Sequence, residues 1–110
     1  MPAHGDFHVD QLLVGDDIAV VDFDEMSLAA PAHDIATFAA DVVRGRDADL
    51  AAVEEALDAL LEGYGEPPEA LGWHLRAAIL GRVAHPFHRQ LPGWPDRVDA
   101  MLRAAETAHV

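Results

Sequence analysis

Three side chains near the start of the chain, Asp6, Gln11 and Asp22, are of types that could handle a phosphoryl group. Phosphoryl transfer asks little covalent chemistry of a protein. A carboxylate must orient the acceptor hydroxyl, and further oxygen ligands must hold Mg²⁺ against the nucleotide phosphates. Mg²⁺ favours hard oxygen donors, which a carboxylate and a side-chain amide both offer. Asp24 follows closely and is either a further metal ligand or a surface acid, while Glu25 reads as surface. A different chemistry is also open. His4, Asp6, His8 and Asp10 alternate, so on an extended strand they would share one face. Such a set could bind zinc or another transition metal.

The element that must position these groups is a β-hairpin. Gln11–Val14 and Ile18–Asp22 are short apolar runs rich in β-branched residues, and Gly15-Asp16-Asp17 between them is a turn signal. A turn centred on Asp16 and Asp17 pairs position 11 with position 22. Facing Cα atoms in such a ladder lie about 4.5–5.5 Å apart. Two oxygen ligands with ten residues of sequence between them would then meet at the open end of the hairpin, with Asp6 on the loop leading into it. The runs are continuous, which predicts that both faces of the hairpin are covered.

Helices follow. Ile35, Phe38, Ala39, Val42 and Val43 share one face of a helix over residues 34–43, which Gly45 would end. Asp47 or Asp49 can cap a second helix with the stripe Leu50, Val53, Leu57, Leu60 and Leu61, stopped by Gly63-Tyr64-Gly65. Pro67-Pro68-Glu69 is expected to open a third, since proline suits a first turn. That helix carries Leu71, Leu75, Ile79 and Val83 on one side and Trp73, Ala77 and Leu80 on another, so burial between neighbours is expected, with Pro86 as its end. Trp73 and Trp94 read as core, or as contacts to a further part of the protein. The last helix turns Trp94, Val98, Met101 and Leu102 inward. His85-Pro86-Phe87-His88 reads as a helix stop with surface histidines. The fold class is therefore α+β and mostly α: one short hairpin, then about four helices.

The motifs fit a known pattern in three blocks. His4-Gly5-Asp6-x-His8 is followed by Gln11-x-Leu13, then by Val21-Asp22-Phe23, then by Pro31-Ala32-His33-Asp34-Ile35-Ala36. This resembles the aminoglycoside-phosphotransferase and choline-kinase superfamily, whose catalytic lobe is protein-kinase-like. Its pattern is H-G-D-x-H-x-x-N-x-L, then I-D-[FW], then D-P-x-x-D-[LI]-A. The resemblance covers residues 4–36 with order and spacing kept. It implies that Asp6 is the catalytic aspartate, that Gln11 and Asp22 are the metal ligands, and that Asp34 is a structural aspartate at the start of a helix. His4 and His8 match positions that shape the loop. Gln11 departs from the usual asparagine by one methylene, as in the maltokinase-like branch.

The same resemblance implies Mg²⁺ and ATP or GTP as cofactors, and a hydroxyl-bearing acceptor of the aminoglycoside, sugar or choline type. It also implies a nucleotide-binding N-terminal lobe with a lysine, and this chain has no lysine. Residues 1–110 are accordingly expected to be a C-terminal-lobe portion, with residues 4–25 forming the catalytic loop and metal-binding hairpin and residues 33–110 a helical subdomain. Alone, such a portion should be inactive and should self-associate through apolar helix faces. The alternative is a non-catalytic fragment that binds metal or a protein partner through those faces.

Composition narrows the classes. At 110 residues the chain is one domain, and a formal charge of −13 argues against nucleic-acid binding. Five of the seven arginines lie in residues 71–110, while 17 of the 20 acids lie in residues 1–70. The acidic part leans toward a cationic acceptor or simply a solvated surface. The arginines read as a solvated helical face. With no cysteine, no basic-then-apolar leader and no membrane-length apolar run, a cytoplasmic setting is expected.

Overall fold

The computed structural model describes residues 1–44 and 50–108. Four short strands come first: β1 (Pro2–Ala3), β2 (Leu12–Val14), β3 (Ile18–Val20) and β4 (Ser27–Leu28). They form two antiparallel pairs. β2 pairs with β3 as the expected hairpin, and β1 pairs with β4, with Pro2 opposite Leu28 and Ala3 opposite Ser27. The second pair gives no period-2 signal, since two residues are too few to show one.

The hairpin register differs from the expected one by a single residue. Leu12 faces Val20 and Val14 faces Ile18, so the loop is the three residues Gly15–Asp17, centred on Asp16. The ladder continues to Gln11 and Val21, where the Val21 N–H donates to the Gln11 carbonyl at 2.9 Å. The hairpin faces are also less covered than continuous apolar runs predict. Val14 is 77% exposed and Ile18 70% exposed, because among the described residues no helix packs over them.

Among the described residues five helices follow: α1 (Ala32–Ala40), α2 (Leu50–Tyr64), α3 (Leu71–Leu80), the one-turn α4 (His85–His88) and α5 (Trp94–Thr107). A short 3-10 turn over Asp41–Arg44 extends α1. The architecture is thus α+β and mostly helical. The expected stop at Gly45 and caps at Asp47 or Asp49 lie outside the described residues. The other end of α2 is as expected: Gly65 takes φ 107° and its N–H bonds the Leu61 carbonyl at 2.9 Å, closing the helix as a left-handed cap does.

Two proline expectations fail. α3 starts at Leu71, after a left-handed Ala70, and not at Pro67. Pro68 disfavours helical backbone at the residue before it, so a helix does not start at Pro67. Nor does Pro86 end α3. The helix closes at Gly81, whose N–H bonds Ala77 O at 3.0 Å, and Pro86 lies in the first turn of α4, where its missing N–H costs nothing.

The core lies where α3 crosses α1 and α5, with α2 against the other side of α1. Ala32, Ala36, Ala39 and Ala40 are buried on α1, and these small side chains let the neighbouring backbones approach. Val53, Leu57, Leu75, Ile79 and Met101 fill the space and are fully buried, each contributing about 1.5–3 kcal/mol by leaving water. Only one side of α3 is buried. Trp73 and Leu80, expected inside, are exposed. Leu102 is exposed too, and Trp94 is half-buried edge-on to Phe87. Arg76 secures the C-terminal end by donating to the Ala108 carbonyl at 2.8 Å. No helix among the described residues is long and apolar enough to cross a membrane.

Candidate active site

The loop after β1 carries His4, Gly5 and Asp6, and α1 holds it in place. The Asp34 carboxylate, in the first turn of α1, accepts the His4 N–H at 2.7 Å and the Gly5 N–H at 3.1 Å. Both carboxylate oxygens are used, one per amide. Asp34 thus ties the loop to α1. His4 adds a second tie. Its Nδ1 accepts the Asp6 N–H at 3.2 Å, so the ring proton sits on Nε2 and is donated to the Val21 carbonyl at 2.8 Å. The buried imidazole therefore bolts the loop to the end of β3, and its ring packs beside Phe23 and Phe7.

Gly5 is required twice over. Its φ is +94°, and a Cβ there would lie 2.0 Å from the Glu25 carbonyl oxygen. The segment after β3 passes directly over the loop, and only glycine leaves room.

These ties bring Asp6, Gln11 and Asp22 together. Gln11 ends a 3-10 turn and is buried. Its Nε2 donates to Asp6 Oδ2 at 3.4 Å and to Asp22 Oδ2 at 3.3 Å, and His8 Nε2 lies 3.3 Å away as a third acceptor. Asp22 reaches this point by an unexpected route. It is not opposite Gln11 in the ladder, and regular alternation would send adjacent side chains to opposite faces. Its left-handed φ of 62° breaks the alternation and returns the carboxylate to Gln11. Aspartate tolerates that conformation better than most residues.

The chemistry of this point is plain. Two carboxylate oxygens and an imidazole nitrogen converge on one amide NH₂, which has only two hydrogens to give. The spot is rich in acceptors and short of positive charge. Asp22, with the amide oxygen that Gln11 also carries, makes a hard-donor set of the kind Mg²⁺ takes. The residues therefore fit the metal that the resemblance implies.

Asp24 does not join the cluster; it is exposed after β3. His8 is mostly enclosed, with its Nδ1 lacking a hydrogen-bond partner and Asp10 4.0 Å off. The alternating His4, Asp6, His8 and Asp10 do not form a transition-metal site. His4 is spent on backbone partners, and among the described residues no three His, Asp or Glu groups converge on a metal. The arginines are structural in part, as Arg76 shows and as the Arg82–Asp41 contact at 3.4 Å shows again.

Asp6 has a second neighbour that sequence reasoning missed. Its side chain is 44% exposed and opens into a cleft of about 460 Å³ between the loop, α1 and α3. Thr37, Trp73, His74 and Arg82 line the far walls. The available signal was Trp73 itself, which lies off the Leu71, Leu75 and Ile79 stripe.

A sequence model of the phosphotransferase enzyme family matches residues 2–79, which spans the loop, the hairpin, α1, α2 and most of α3. Comparison with curated proteins and with solved structures returns no match. The family match covers more than half of the chain and includes every residue of the Asp6, Gln11 and Asp22 cluster; the chain belongs to the phosphotransferase enzyme family.

Proposed function

We propose that the chain is the catalytic-lobe portion of an O-phosphotransferase that moves the γ-phosphoryl of ATP or GTP to a hydroxyl of a small molecule. The observation that carries this is the convergence of Asp6 and Asp22 on Gln11, within 3.3–3.4 Å, beside a cleft open to Asp6. Asp6 orients the acceptor hydroxyl and takes its proton. The hydroxyl oxygen bonds to the γ-phosphorus as the bond to the β–γ bridging oxygen breaks, and the nucleoside diphosphate leaves with that electron pair. Gln11 and Asp22 would hold Mg²⁺, which when bound offsets the charge on the phosphate oxygens. His4 and Asp34 fix the loop that presents Asp6.

In this reading residues 4–25 are the catalytic loop and metal-binding hairpin, and residues 33–110 the helical subdomain. A lysine to engage the nucleotide phosphates has to come from an N-terminal lobe, since these 110 residues contain none. The uncovered hairpin faces at Val14 and Ile18 favour such a neighbour. The second reading, a non-catalytic fragment, would bind a protein partner through exposed apolar helix residues such as Trp73, Leu80 and Leu102.

Mg²⁺ titration of the ¹⁵N-labelled chain separates the two. The Gln11 side-chain amide and the Asp22 amide should shift with Mg²⁺, and Asp22→Asn should abolish the shift. A spectrum indifferent to Mg²⁺, with or without nucleotide, sinks the phosphotransferase reading. In a coupled assay the chain alone should show no turnover; turnover that vanishes in Asp6→Ala would refute the need for a second lobe.

A further inference from the structure

The cleft beside Asp6 reports on the acceptor, given that Asp6 is the base proposed above. We infer that it takes an uncharged, hydroxyl-rich ring, a carbohydrate or a polyol of similar size, laid against Trp73.

Charge comes first. Asp6 is the only carboxylate among the described lining residues, and Arg82 lines the same cleft. A polyamine would need several carboxylates, and this cleft offers one. The abundant acids of the first 70 residues lie elsewhere: Asp10, Asp16, Asp17 and Asp24 are exposed and do not line the cleft. An anionic acceptor gains little either. Arg82 is mostly enclosed, its Nε donates to Asp41 and its Nη1 donates to the Ala78 carbonyl at 2.8 Å. The charge is offset and the side chain is fixed.

Shape comes second. Trp73 is 65% exposed on the face of α3 turned away from the core, and its ring meets His74 edge-on at 5.0 Å. Beside it Ala77, Ala78 and Gly81 leave the wall flat. An indole face carries negative potential, and the C–H groups on one side of a sugar ring are weakly positive, so the two stack. The ring's hydroxyl rim then meets Thr37, His33 and His74, which can each donate or accept. A quaternary ammonium is served by a cage of several aromatic faces, and here Trp73 stands alone with histidines. A volume of about 460 Å³ suits a mono- or disaccharide.

Saturation-transfer NMR on the intact chain tests this with a panel of neutral mono- and disaccharides, choline and an aminoglycoside, each at millimolar concentration. At least one neutral saccharide should bind, with saturation reaching its ring C–H protons. Trp73→Ala should weaken that binding about tenfold or more, and Trp73→Phe should recover part of it. Circular dichroism checks that Trp73→Ala remains folded, as expected of an exposed site. Preference for the cationic ligands, saccharide binding unmoved by Trp73→Ala, or no binding from either class overturns the inference. Failure of the phosphotransferase reading shows differently: the Mg²⁺ response is then absent while Trp73-dependent saccharide binding persists.

Discussion

Removing the Asp34 carboxylate should detach the loop that presents Asp6. The side chain holds two backbone amides, His4 N–H at 2.7 Å and Gly5 N–H at 3.1 Å, each from about thirty residues earlier in the chain. Hydrogen bonds to a charged group contribute about 1.5–3 kcal/mol each. Asp34 is 28% exposed, so water offsets part of this. Asp34→Ala is expected to cost about 2–4 kcal/mol, a large share of the roughly 5–15 kcal/mol that holds a domain folded. Asp34→Asn should cost nearly as much, because one amide then faces an NH₂ in place of an oxygen. In urea denaturation a loss of about 3 kcal/mol moves the midpoint by roughly 1–3 M. Hydrogen exchange localises the effect: the His4 and Gly5 amides should exchange at least about tenfold faster. His33→Ala is the control, since it removes only the 3.5 Å contact to Asp34 and leaves both amide bonds. A midpoint unchanged in Asp34→Ala, or His4 and Gly5 amides that stay protected, would refute the anchoring role.

Gly5→Ala should be more damaging still, because its Cβ would sit 2.0 Å from the Glu25 carbonyl oxygen and the residue would keep a positive φ. A loss of about 3 kcal/mol or more is expected, and a variant with an unshifted thermal midpoint contradicts the close approach. The His4 ring should be the Nε2–H tautomer, with Nδ1 accepting from Asp6 and Nε2 donating to Val21; ¹⁵N chemical shifts of the imidazole decide it, and an Nδ1–H tautomer would break the proposed tie. The chain should self-associate through the hairpin, where Leu13, Val14 and Ile18 are exposed. Light scattering should show a dimer or larger species that Val14→Glu with Ile18→Glu weakens, and a clean monomer at high concentration would be the opposite result.

The cluster was legible in the sequence because its three members sit close together along the chain, where turn and strand signals act directly. Gln11 and Asp22 were placed at the hairpin mouth although the register was off by one. What corrected the slip was the left-handed Asp22, a local backbone choice that no hydrophobic pattern encodes. Asp34 was legible from its motif alone; its two amide partners follow from packing α1 under the loop. Helix faces were read well where one stripe dominates, as with Leu71, Leu75 and Ile79. Burial between neighbours fails at Leu80, and the core reading of Trp73 fails with it, since an apolar side chain signals burial only if an element exists to cover it. The prolines misled for a related reason. Pro67-Pro68 and Pro86 were given roles from residue preference, while the chain settled the helix ends with Ala70 and Gly81.

The site divides its residues between holding and reacting. His4 is buried and Asp34 is largely enclosed; their polar side-chain atoms are committed to backbone amides and a carbonyl, while the buried Gln11 spends its NH₂ on the cluster. Asp6 and Asp22 remain open to solvent. The loop is fixed at three levels: the β1–β4 pairing before it, Asp34 beneath it and the His4–Val21 bond across to β3. A reacting carboxylate needs a defined position and also an accessible oxygen. This arrangement supplies the first through His4 and Asp34, and in the proposed reaction Asp6 keeps its second oxygen for a hydroxyl. It follows that variants at His4 or Asp34 should lower the order of the Asp6 loop without altering the cleft wall formed by α3, whereas variants at Trp73 should alter the cleft and leave the loop intact.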